Sequence, residues 1–112
     1  MYLMVLVLNE SELLDETLEK LYEIGITGAT VINSQGMGRT ICENVPLFGG
    51  LSSMFKECRP ANNTIFSVID DEKKINQVLE IVETVTGDLQ TAGKGIFFTI
   101  PLHQVKGIIS TL

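Results

Sequence analysis

The chain has 112 residues, 45% of them apolar, and its 8 Lys+Arg against 14 Asp+Glu leave a formal charge of −6. That length supports one core and a single domain over residues 1–112, and leaves little room for a separate catalytic domain or a large substrate cleft. The acidic balance argues against a protein whose whole surface tracks phosphates along nucleic acid, though not against a local basic pocket.

In chain order, Tyr2 to Leu8 is a short apolar run that reads as a first strand and stops at Asn9-Glu10-Ser11-Glu12, a polar cluster offering a helix start. The opening stretch is far short of the roughly 20 residues of a membrane span, and no basic segment precedes it. A cytoplasmic protein without a signal peptide or direct membrane insertion is expected. From Ser11 onward Leu13, Leu14, Leu18, Leu21 and Tyr22 recur at helical spacing, with Glu12, Asp15, Glu16, Glu19, Lys20 and Glu23 on the other side. Gly25 supplies a left-handed stop. Ala29 to Gln35 reads as a second strand, ending at Gly36-Met37-Gly38-Arg39, where the glycine pair marks a change of direction.

Thr64 to Ile69 reads as a third strand, with Asp70-Asp71 as the cap of a second helix carrying Ile75, Val78, Leu79, Val82 and Val85 on one stripe. Gly87 closes that helix, and Ile96 to Ile100 forms a fourth strand that runs into Pro101. The order β-α-β-β-α-β predicts an α+β, ferredoxin-like sandwich: an antiparallel four-stranded sheet with two helices on one face.

The strands carry a further expectation. A sheet with one wet face alternates apolar and polar residues, yet strand one sets Leu3, Val5 and Val7 against Met4, Leu6 and Leu8. Strand three sets Ile65 and Ile69 against Phe66 and Val68, and strand four sets Ile96, Phe98 and Ile100 against Phe97. Two helices cover only one face, so the other is expected to be covered by another subunit, in a homo-oligomer built through the sheet. The alternative is that the C-terminal tail and the long loop fold over it.

Gly36 and Gly38 remove side chains that would keep a ligand from the backbone, and Arg39 follows as a rigid fork of donors; Gly93 and Gly95 frame Lys94 in the same manner. With Lys106 as a third cation from the tail, these make a cationic pocket that selects a compact polyanion such as a nucleotide over extended nucleic acid. The alternative is that Gly36 and Gly38 form a strand-end bulge and Gly93 to Gly95 a tight turn with an exposed lysine.

The segment Glu23 to Val31, then Gln35-Gly36-Met37-Gly38-Arg39, then Thr86-Gly87 and Gly93-Lys94-Gly95-Ile96-Phe97, resembles the P-II signal-transduction proteins, trimeric regulators of nitrogen metabolism. The resemblance implies ATP or ADP, with or without Mg, between adjacent subunits and no resident cofactor. Thr30 and Val68 would line the adenine side, and Gly36, Met37, Gly38, Arg39, Gly93 and Lys94 the phosphate loops. Lys106 falls at the first of two C-terminal arginines of the family; the second is replaced near Ile108, and the loop after Gly87 is longer than the usual form.

The same resemblance makes Thr40 to Asn63 the T-loop, the arm that engages a partner such as a membrane transporter or metabolic enzyme. It is rich in apolar residues, and Leu47, Phe48, Leu51, Met54 and Phe55 are its candidate partner contacts, the last three at i, i+3, i+4 spacing. The segment has no tyrosine to be uridylylated. Thr40 stands where the family has a glutamine that helps hold Mg-ATP and 2-oxoglutarate, which argues against 2-oxoglutarate sensing.

Cys42 and Cys58, fifteen residues apart in between, bracket this segment, and with the single His103 they define the alternative of a metal-responsive trimer like the CutA proteins. Their spacing matches no familiar metal pattern, and in a reducing compartment two cysteines read more simply as small apolar side chains. Ser34 and Ser110 have no companion histidine, and Asp70-Asp71 reads as a cap, so no catalytic set is assigned and the chain reads as a non-enzyme.

Overall fold

The computed structural model describes residues 1–43, 61–91 and 93–108. The described elements are β1 (Tyr2–Leu8), a 3-10 turn (Ser11–Leu13) leading into α1 (Leu14–Glu23), β2 (Thr30–Ser34), α2 (Met37–Glu43), β3 (Asn62–Ile69), α3 (Glu72–Thr86) and β4 (Gly95–Pro101). The sheet order is β2-β3-β1-β4, and each neighbouring pair is antiparallel. Two βαβ units therefore interleave, which is the expected ferredoxin-like arrangement.

Local chemistry sets most element ends. Asp71 caps α3 by accepting the Lys73 N–H at 2.9 Å, and α1 and α3 each end just ahead of the expected glycine stop. Two departures from the sequence expectation bear on the site. β3 begins at Asn62 rather than Thr64, because Asn62 and Asn63 pair with Ser34 and Asn33, and the Asn63 Nδ2 donates to the Asn33 Oδ1 at 3.0 Å. Asparagine is a poor strand former, so only this cross-strand support extends the ladder. The Gly36-Met37-Gly38-Arg39 turn is in fact the entry to the short helix α2, closed by the Thr40 N–H donating to the Gly36 carbonyl at 3.1 Å.

The core lies between α1, α3 and one sheet face. Met4, Leu6 and Leu8 of β1 meet Leu21 of α1, Val78 and Val82 of α3, and Ile65 and Ile69 of β3. Two buried threonines fit this apolar layer because each hydroxyl bonds its own helix: Thr17 donates to the Leu13 carbonyl and Thr86 to that of Val82. Leu6 is fully buried on a central strand. Leu6→Ala is expected to cost about 2–5 kcal/mol, read as a lower urea midpoint at unchanged slope.

The opposite face is also apolar, as the doubled alternation predicts. Val5 lies between Phe66 and Phe98, and Leu3 between Val68 and Ile100. Ile96, Phe98 and Ile100 are 55%, 41% and 45% exposed. The tail continues from β4 with the Leu102 N–H donating to the Met1 carbonyl, and its described part, residues 102–108, leaves these three side chains uncovered.

Candidate functional site

At one end of the sheet β1 stops at Leu8, with Gly95 of β4 on one side of it and Asn63 of β3 on the other, while β2 ends at Ser34 opposite Asn62. Both glycine motifs leave the sheet at this end, Gly36 to Arg39 beyond β2 and Gly93-Lys94 ahead of β4. They do so on opposite edges, three strand spacings or about 14 Å apart. One protomer does not bring them together.

A row of polar side chains crosses the sheet end between them. Ser34 Oγ donates to Asn62 Oδ1, Asn62 Nδ2 donates to Asn9 Oδ1 at 3.3 Å, and Asn9 Nδ2 donates to the Gly93 carbonyl at 3.2 Å. Ser34 has one proton and gives it to Asn62, so Thr64 Oγ1, 2.7 Å away, donates to Ser34. On the β4 side the Asn9 N–H reaches the Lys94 carbonyl at 3.4 Å, and Lys94 Nζ lies 3.3 Å from Glu10 Oε1, both side chains about one-third exposed.

Gly95 has a structural duty here. Its φ is +146°, and a Cβ on it would lie 2.1 Å from the Val7 carbonyl oxygen, so the glycine lets β4 join β1. On the β2 side, Gly38 and Arg39 lie in the first turn of α2 and Met37 is 73% exposed. The Thr40 hydroxyl donates to the Gly36 carbonyl at 3.2 Å and accepts from Gln35 Nε2 at 2.9 Å, so it serves to close this turn.

At the far end of β2 and β3 lies an open cavity of about 820 Å³. Thr30 and Val68, the expected adenine-side residues, both line it, together with Phe66, Lys74 and, from the tail, Gly107 and Ile108. Lys106 is exposed on the tail beside them. Lys94 stands at the other end of the sheet: from Leu3, opposite Val68, to Leu8, opposite Gly95, is about 17 Å of strand.

The family model for nitrogen regulatory protein P-II matches residues 2–110. The chain belongs to the P-II family. No curated protein matches it closely enough to count as a relative. The match makes it a P-II-type signalling protein and favours that reading over the CutA-like alternative. Of the residues in that alternative, Cys42 lies on α2, His103 is exposed after β4, and Cys58 falls outside the described residues. The partner-contact candidates Leu47, Phe48, Leu51, Met54 and Phe55 of the P-II segment 40–63 also fall outside them. No described helix is long and apolar enough to cross a membrane.

Sequence reasoning missed the residues that cross the sheet end between the two glycine motifs. Asn9 and Glu10 read only as a helix start, yet Glu10, at the head of the 3-10 turn, makes no capping bond with its side chain and turns it to Lys94. Asn62 read as loop. The one available signal was a concentration of asparagines, Asn9, Asn33, Asn62 and Asn63, at predicted strand ends.

Proposed function

We propose that this P-II protein is a homotrimer that binds an adenine nucleotide, ATP or ADP, in clefts between protomers, and that occupancy sets how its 40–63 segment engages a membrane transporter or metabolic enzyme. The observation that carries the reading is the placement of the two glycine motifs at one end of the sheet but on opposite edges. Association through the apolar sheet face sets the β2 edge of one protomer beside the β4 edge of the next, so each seam joins a Gly36 to Arg39 turn to a Gly93-Lys94 loop. Adenine then lies against Thr30 and Val68 with Lys106 beside them, and Lys94 and Arg39 meet the phosphates.

The charge logic is local. On a chain of net charge −6, a nucleotide is held only where cations and backbone donors converge, and charge-assisted bonds to phosphate are the strong ones. ATP and ADP differ by the γ-phosphate, so the two ligands bias the adjoining segment differently only through contacts that this group makes. Calorimetric titration with ATP, ADP and AMP tests the reading. Binding at one site per protomer is expected, weakened about tenfold to a hundredfold by Lys94→Met or Arg39→Ala. An assembled protein that takes up none of the three would overturn it.

A further inference from the structure

We propose that Glu10 is a built-in counter-ion for Lys94, a charge gate that a phosphate ligand must displace and that lowers the affinity of every ligand that does so. The inference deepens the nucleotide reading above and rests on Lys94 receiving phosphate.

Three contacts hold the Gly93-Lys94 loop against the chain leaving β1. Asn9 takes both loop carbonyls, Gly93 through its side-chain amide at 3.2 Å and Lys94 through its backbone N–H at 3.4 Å. Asn9 is itself steadied by Asn62. With the backbone pinned, the Lys94 side chain is delivered to the next residue, Glu10, whose Oε1 lies 3.3 Å from Nζ. Asn9 therefore fixes the loop, and Glu10 neutralises its cation.

The pair is suited to exchange. Both side chains are about one-third exposed, and ion pairs that wet are weak, so the carboxylate leaves at small cost. A ligand bearing two or more phosphates brings more charge than it displaces, and Glu10 swings into solvent away from it. Glu10 thus lowers affinity for every anion that takes Lys94 from it.

The test compares the full-length protein with Glu10→Gln, which keeps the shape and removes the charge, using ATP, AMP and inorganic tripolyphosphate as probes. Glu10→Gln is expected to tighten tripolyphosphate and ATP about fivefold, and AMP by no more than that. The gain should shrink as salt rises from about 0.05 to 0.5 M, where exposed charges are screened. It should also vanish in a Lys94→Met background, since the two substitutions act on one contact. Equal ATP binding by parent and Glu10→Gln overturns the gate and leaves the nucleotide reading standing. Tripolyphosphate binding tightened by Glu10→Gln, with no ATP binding, keeps the gate and removes the nucleotide reading. No binding of any probe to either protein overturns both.

Discussion

Phe98→Asp is expected to scatter light as a 12.3 kDa monomer, where the parent chain scatters at about three times that mass. Phe98 lies in the middle of β4, opposite Val5, with Ile96 and Ile100 beside it on the face that α1 and α3 leave uncovered. Burying side chains of this size is worth about 1.5–3 kcal/mol each, and Ile96, Phe98 and Ile100 together make the face adhesive. An aspartate at position 98 stays hydrated in the monomer, because the site is 41% open there. In an assembly it becomes an unpaired buried charge at every seam, a penalty of about 3–5 kcal/mol that shifts association by several orders of magnitude. Nucleotide binding is expected to fall with assembly, since the cleft needs two protomers. If the chain's own segments cover this face instead, the variant keeps the parent's mass and loses thermal stability.

The doubled apolar alternation was legible because side chains alternate along a strand by geometry alone. β1 could be read to the residue, Tyr2–Leu8, since a polar cluster cuts off its apolar run. α2 escaped because seven residues, with glycine at the second, carry too little periodicity to declare a helix. The start of β3 escaped because its support is non-local: Asn63 leans on Asn33, and Asn62 on Ser34 and Asn9. The site divides in the same way. Lys94 stood out between glycines, and Thr30 and Val68 came from resemblance, whereas contacts such as Asn9 to Gly93, 84 residues apart, exist only after the sheet has formed.

Gly95→Ala is expected to cost about 3 kcal/mol or more of unfolding free energy, whether or not any ligand is present. The added Cβ would lie 2.1 Å from the Val7 oxygen and 3.2 Å from its carbonyl carbon, and both belong to the backbone of a central strand that cannot rotate aside. The φ of +146° adds strain for any residue with a Cβ. Relief requires the start of β4 to peel from Leu8, which also withdraws Lys94 from Glu10 and loosens the loop held by Asn9. Gly28→Ala is the control, since nothing lies within 4 Å of its added methyl and its backbone is outside the left-handed region. It is expected to leave stability unchanged within about 0.5 kcal/mol or raise it by up to about 1 kcal/mol. Urea unfolding of both variants separates two reasons for a glycine beside Lys94. A glycine kept only for ligand approach would let Gly95→Ala lose phosphate binding at parental stability; one kept for strand closure, as the Val7 contact requires, makes the unfolding midpoint fall first.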